Sequence, residues 1–264
     1  MQRRPPRPKP SPSPAPRNRA APAKPRTPKY GLARVLSKRG YCSRSEAEAL
    51  VRAGRVATDG RVQFDPHYPT ALNARIDVDG KEAQAQAKVY LMLNKPRGLV
   101  TTTQDEQGRD TVYRCFDGAD LPWIAPVGRL DKASEGLLLF SNDPEWAAAV
   151  TAPESLVDKT YHVQIDALPD EDLMLQLRRG IVQDGDFLRA KAAKELRRGD
   201  KNAWLEIQLD EGRNRHIRRL LEAHGIGVLR LIRVAIGALA LGELPKEGWR
   251  ALTLEETAAL RPPV

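Results

Sequence analysis

Cysteine is scarce in this chain: Cys42 and Cys115 are the only two among 264 residues, and they stand in no C-x-x-C or histidine-paired spacing. Neither a disulfide framework nor a zinc site is indicated, so both are expected to be free thiols, buried or half-buried, in a reducing compartment. No apolar run approaches the length that crosses a bilayer, which removes membrane proteins from consideration. Acidic residues are missing from residues 1–30, where Arg3, Arg4, Arg7, Lys9, Arg17, Arg19, Lys24, Arg26 and Lys29 supply nine positive charges. Setting these aside leaves 34 basic residues against 34 acidic ones, so the formal charge of +9 belongs to this tail and the remainder is neutral. Any electrostatic grip on a polyanion within the remainder must come from local clustering.

The tail, residues 1–29, is rich in proline and has no apolar run, so it cannot bury enough surface to fold. It lacks the apolar core of a secretory signal, and its prolines oppose the amphipathic helix of a transit peptide, which points to a cytoplasmic protein with a disordered arm. Contact of that arm with RNA would be indifferent to sequence and weakened by salt. A plain solvated linker is the alternative.

Beyond the tail the length suits a small domain followed by a larger one. Leu32, Val35 and Leu36 recur at helical spacing up to Gly40. Ser43 with Glu46 forms a capping-box pattern opening a second helix, whose inward face is Ala47, Leu50 and Val51 and whose end is Gly54. Arg55–Thr58 and Arg61–Phe64 flank the turn pair Asp59-Gly60 as a hairpin, and Ile76 with Val78 adds a strand. Arg34, Lys38, Arg39, Arg44 and Arg52 lie off the apolar stripe. Charge on a helix face usually means only exposure to water.

The polar, alanine-rich piece around residues 82–88 reads as a boundary between a unit at 30–82 and a second at 88–264. Strands are expected at Val89–Leu93, Leu99–Thr103, Gly136–Ser141, Thr160–Ile165 and Trp204–Leu209, with a hairpin about Asp184-Gly185. Asp143 before Pro144, Asp170, and Thr253 with Glu256 mark helix starts. Scattered helices among hairpin-joined strands predict an α+β fold with a mixed, mainly antiparallel sheet.

Three segments carry candidate chemistry. PVGRLDKASEGLLLFSND (126–143) centres on Asp131, beside Arg129 and ahead of an apolar strand. By itself such an acid is more often a turn residue, and a pairing with Glu135 as two glycosidase carboxylates is uncontrolled in a loop. In KTYHVQID (159–166), Tyr161 alternates with Val163 and Ile165 and by pattern is a core aromatic. In EGRNRHIRRLLEAHG (211–225), Ile217, Leu220, Leu221 and His224 form one helical face, and Arg215, Arg218, Arg219 and Glu222 the other. Arg213 and Arg215 with that face suit phosphate binding as well as solvent.

The run GLARVLSKRGYCSRSEAEALVRAGRVATDGR resembles the small RNA-binding domain first recognised in ribosomal protein S-four. That resemblance implies that Arg34, Lys38, Arg39, Ser43, Arg44, Ser45 and Arg52 face a folded RNA. LNKPRGLVTTT, GRLD, the lysine-x-tyrosine strand, EGRNRxxRR and VLRLIRVAIG follow in the order found in pseudouridine synthases of the RsuA and RluB group, which carry the same small domain in front. Ser134 stands where those relatives more often have threonine.

The resemblance implies an isomerase that converts a uridine of ribosomal RNA to pseudouridine without cofactor or metal. It makes Asp131 the nucleophile, Tyr161 the ring that stacks on the extruded base, Arg218 the partner of the Asp131 carboxylate and Leu231 the packing beneath the base, with Arg129 also on the substrate. A carboxylate attacks only when ionised, which a nearby guanidinium favours, and an aromatic surface replaces stacking lost by extrusion. The segment RLIRVAIGALALGELPKEGWRAL looks nearer to members acting on large-subunit rRNA than to those acting on the small subunit. A monomer working on rRNA within a pre-ribosomal particle is the expectation. A non-catalytic assembly factor and a sugar hydrolase using Asp131 and Glu135 are the rivals.

Overall fold

The computed structural model describes residues 28–103, 105–152, 155 and 157–261. The expectation of a disordered arm falls on residues outside these, apart from its last two members, Pro28 and Lys29, of which Lys29 opens a strand, Lys29–Gly31, paired antiparallel with Pro69–Ala71.

The first helices form where their apolar spacing places them, at Leu32–Lys38 and Arg44–Arg52. Ser43 caps the second by accepting from the Glu46 N–H, but the reciprocal bond from the Glu46 side chain, expected of a capping box, is not made. Asp59 and Gly60 both take positive φ, the geometry that lets two residues join strands Val56–Thr58 and Arg61–Gln63 with matching twist. Ile76–Val78 pairs with the first of these. Leu32, Leu36, Val51, Val56 and Ile76 are fully buried in a core of their own.

The larger unit is built on one mixed sheet. In spatial order its main strands are Ala192–Arg198, Ala203–Leu209, Lys159–Ile165, Val228–Ile236, Glu135–Ser141, Tyr90–Lys95 and Trp249–Ala251. Every neighbouring pair is antiparallel except Val228–Ile236 beside Glu135–Ser141, which are parallel. This is the α+β, mainly antiparallel arrangement expected. Glu135–Ser141 is buried throughout: Leu138 and Phe140 enter one apolar cluster, and Leu137 and Leu139 enter another with Trp146 and Val150 of the helix Pro144–Thr151.

The helix starts read from sequence hold. Asp143 accepts from the N–H groups of Glu145 and Trp146, Asp170 from that of Leu173, and Thr253 with Glu256 makes both bonds of a capping box. The strand expected at Leu99–Thr103 does not form. Only a bridge between Val100 and Thr111 is present, with the Val100 N–H donating to the Asp110 carbonyl (3.0 Å) and the Val112 N–H to that of Val100 (3.0 Å). Ala192–Arg198 was not read as a strand; its charged, exposed pattern carries no period-2 signal, and the sheet edge alone makes it one. Among the described residues no helix is long and apolar enough to cross a membrane.

Candidate active site

Asp131 lies in the short connection between strands Ala125–Val127 and Glu135–Ser141, and this connection is held by its backbone. Thr101 Oγ1 donates to the Leu130 carbonyl (2.7 Å). The Ser134 N–H (2.9 Å) and Lys95 Nζ (3.3 Å) reach the Asp131 carbonyl, and the Gly98 N–H reaches that of Lys132 (2.8 Å). Arg218 Nη2 donates to the Ala133 carbonyl (3.1 Å), and Lys95 Nζ to that of Ser134 (2.9 Å). Each carbonyl from residue 130 to 134 therefore has a donor, and the segment 95–101 supplies most of them. Within Leu99–Thr103 it is the Thr101 side chain that serves this loop, while the Val100 backbone bonds to Asp110 and Val112.

The half-buried Asp131 borders a cleft of about 600 Å³. Arg129, Ser134, Tyr161, Arg213, Arg215, Leu231 and Arg233 also line it. Tyr161 packs against two of the apolar clusters from the middle of its strand, so its ring is fixed from behind. Leu231, on the next strand, is nearly fully buried at the same wall. Sequence positions 131, 161 and 231 thus meet at one cavity.

Arg218 differs in detail from its expected part. Among the described residues no ion pair within 4.0 Å joins it to Asp131; its donors go to the carbonyls of Ala133 and Val228 (3.1 and 3.3 Å). It therefore anchors the loop that carries the acid. Burial and then Arg215 push the guanidinium down from its ordinary pKa, while the charge of Asp131 opposes them.

Several arginines expected to face RNA are engaged within the protein. Arg39 is 9% exposed and donates to the carbonyls of Leu72, Ala74 and Ala83, so it closes the small unit instead of presenting a charge. Lys38 pairs with Glu145 of the larger unit and lies over the Tyr30 ring. Arg213 pairs with Asp186 (2.6 Å) and Glu211 (3.1 Å), and Arg219 with Asp186 (2.8 Å), so these two cations are matched by acids of the protein. Arg34, Arg44, Ser45 and Arg52 remain exposed, Arg44 and Arg52 both near Glu48, and Ser43 serves as a cap. Arg215, which has a left-handed backbone conformation, and Arg129 are both exposed at the cleft rim.

Glu135 cannot partner Asp131 in sugar hydrolysis: it is buried and bound to Arg230 (3.1 Å) and Lys246 (2.9 Å), which hold its carboxyl below the usual range against the opposing effect of burial.

Three residues at the site were not singled out from sequence. Lys95 is fully buried, donating to the carbonyls of residues 96, 131 and 134, and burial pushes its ammonium down to about 8. Lys159 and Arg233 line the cleft beside Tyr161. A lysine or arginine inside an apolar strand was the available signal, since such a charge is buried only when something meets it.

The geometry agrees with what similarity shows. Residues 89–223 match the family model described as RNA pseudouridylate synthase, and residues 31–76 match the S4 domain. A Bacillus subtilis protein named ribosomal large subunit pseudouridine synthase B is 35% identical over 233 residues, covering 87% of this chain and 95% of that one. A Yersinia pestis protein of the same name is 37% identical over 239 residues, covering 87% and 74%. A solved pseudouridylate synthase superposes with a TM-score of 0.61 at 28% identity, covering 88% of this chain and 99% of that one. With a clamped acid, a supported aromatic ring and a matching family model over its catalytic half, the chain belongs to the RNA pseudouridylate synthase family.

Proposed function

We propose that this enzyme isomerises one uridine of large-subunit ribosomal RNA, with Asp131 as the nucleophile. The observation that carries the reading is the loop clamped at successive carbonyls, which sets Asp131 at a cleft lined by Tyr161 and Leu231. An extruded uracil slides in against the Tyr161 ring and above Leu231, where stacking offsets what it loses on leaving the RNA. The glycosidic N1–C1′ bond breaks, the uracil turns, and a C5–C1′ bond forms; C5 gives up a proton and N1 takes one, so the reaction is balanced without an added group. Asp131 supplies the electron pair that carries the intermediate, and Arg218 fixes the loop and adds positive potential beside the carboxylate.

The large-subunit target is supported by the names of the relatives and by the C-terminal segment around LPKEGW. The exposed Arg34, Arg44, Ser45 and Arg52 contact RNA backbone from the small unit, and the enzyme works as a cytoplasmic monomer on pre-ribosomal RNA.

Purified protein incubated with unmodified large-subunit rRNA, with no cofactor added, is expected to produce pseudouridine at one position. Asp131→Asn removes that activity by at least about 10³-fold, as expected for loss of a covalent nucleophile, with RNA affinity within about twofold. Undiminished product from Asp131→Asn, or product only on small-subunit rRNA, overturns the respective half of the reading.

A further inference from the structure

Two cations of the cleft wall, Lys159 and Arg233, have no ion-pair partner among the described residues. Arg233 is 6% exposed; its Nε donates to the Leu137 carbonyl (2.7 Å), but its buried Nη2 meets no acceptor. Lys159 lies on the strand of Tyr161, and Arg233 is the register partner of Tyr161 on the neighbouring strand, so both flank that ring on the cleft wall. Among the described residues neither has an acidic partner within 4.0 Å. The nearby acids are engaged: Asp158 with Lys191 (2.7 Å), Asp210 with Arg189 (3.3 Å) and Glu211 with Arg213 (3.1 Å). Burial, and then the Arg233 charge, push the Lys159 ammonium down, with the charges of Asp158 and Asp210 opposing them.

A buried guanidinium with an orphan donor beside a half-buried ammonium is unfavourable, and an anion bound between them offsets the penalty. We propose that Lys159 and Arg233 form an anion subsite that takes a backbone phosphodiester next to the target uridine. The subsite rests on the reading of the cleft as the uridine pocket. Lys159 and Tyr161 are two strand residues apart, about 6.6 Å at ordinary strand rise, and a nucleotide spans a comparable length from its base to its own phosphate. A neutral uracil carbonyl would occupy one donor and leave both charges unmatched, whereas a phosphodiester offers a full negative charge and two acceptor oxygens.

The test is a binding cycle. Wild type, Lys159→Met and Arg233→Gln are titrated with an rRNA fragment carrying either natural linkages or one uncharged methylphosphonate 5′ or 3′ to the target uridine. For wild type, one of the two substitutions is expected to weaken binding about five- to tenfold. Lys159→Met should lose about as much on natural RNA and nothing further on that methylphosphonate, and its salt slope should fall by about 0.7, the value for one single-strand phosphate. Equal additional losses on both proteins, or no loss from either methylphosphonate, overturns the subsite. Should Arg233→Gln not fold by thermal unfolding, the lysine variant carries the test. Pseudouridine is measured in the same reactions with wild type. Product formed without the coupling sinks the subsite alone; no product at all sinks the underlying reading of the cleft with it.

Discussion

At the scale of single residues, the loop that carries Asp131 depends on side chains that hold its backbone. Lys95 is the clearest example, because its ammonium joins the carbonyls of residues 96, 131 and 134 from a fully buried position. Lys95→Met leaves those acceptors short of donors, and about 1–3 kcal/mol of stability should be lost. The loop then relaxes, and a displacement of Asp131 by about 1 Å is enough to lower kcat roughly 100-fold. The effect has a pH signature. The folded-state pKa of Lys95, about 8, lies below the 10.5 of a free lysine, so the folded protein sheds this proton first. Below about pH 8 both states are protonated and the contribution is flat; between about 8 and 10.5 the unfolded state holds more protons and stability rises. Thermal unfolding of wild type and Lys95→Met at pH 7.5 and 10 checks this. The deficit of the variant should widen at the higher pH, and a constant deficit refutes the assignment.

At the scale of elements, the cleft exists because one parallel pair interrupts an antiparallel sheet. Strand Glu135–Ser141 lies parallel to Val228–Ile236 through Ile232 opposite Glu135 and Arg233 opposite Gly136. That pairing sets the end of the Asp131 loop against the strand that carries Leu231 and Arg233. Gly136 permits it, with φ near +100° and room for no side chain: a Cβ there would lie 2.2 Å from the Arg233 carbonyl oxygen. Gly136→Ala should therefore force the strands apart and destabilise the fold by more than about 3 kcal/mol, through positive-φ strain and a clash with unyielding backbone. Chemical denaturation reads this directly, and a variant within 1 kcal/mol of wild type by that measure contradicts the close approach. The elements most legible in the chain were those with local signals. Asp143, Asp170 and Thr253 opened helices, and the Asp59-Gly60 and Asp184-Gly185 pairs closed hairpins, because caps and turns are settled by neighbours a few residues away. Leu99–Thr103 was misread for the opposite reason. Its composition suits a strand, but its backbone meets only a single bridge at Thr111, and the Thr101 side chain is drawn to the distant Leu130 carbonyl.

At the scale of the whole molecule, the small and large units meet through Asn142. Its Oδ1 accepts from the Val89 N–H (2.8 Å) and its Nδ2 donates to the Ala87 carbonyl (2.8 Å). Lys88 reaches the Lys38 carbonyl (2.7 Å), Lys38 pairs with Glu145, and Gly40 packs directly on the Asn142 side chain. The polar piece around residues 82–88 is thus pinned to both units, which poses the exposed arginines of the small unit relative to the cleft. Asn142→Ala should loosen that pose and lower the effective concentration of one RNA-binding surface at the other. Steady-state kinetics on a folded rRNA fragment should show KM raised about fivefold with kcat within twofold. An equal change in kcat would mean that the contact acts on the catalytic loop instead.

Motif order, capping residues, turn pairs and apolar periodicity determined the family resemblance and the α+β class from sequence alone, since each depends on residue type and short-range spacing; Asp131, Tyr161 and Leu231 were singled out only through that resemblance. Which basic residues are free to act was decided only by tertiary structure. Arg39 finds its carbonyls at residues 72, 74 and 83, and Lys38 finds its acid at residue 145. Arg233 finds a carbonyl at residue 137 and no acid at all among the described residues. A charge is identical in the sequence whether it faces water, a carbonyl or an empty cleft; its meaning comes from the groups that folding brings within a few ångströms of it, and those lie far along the chain.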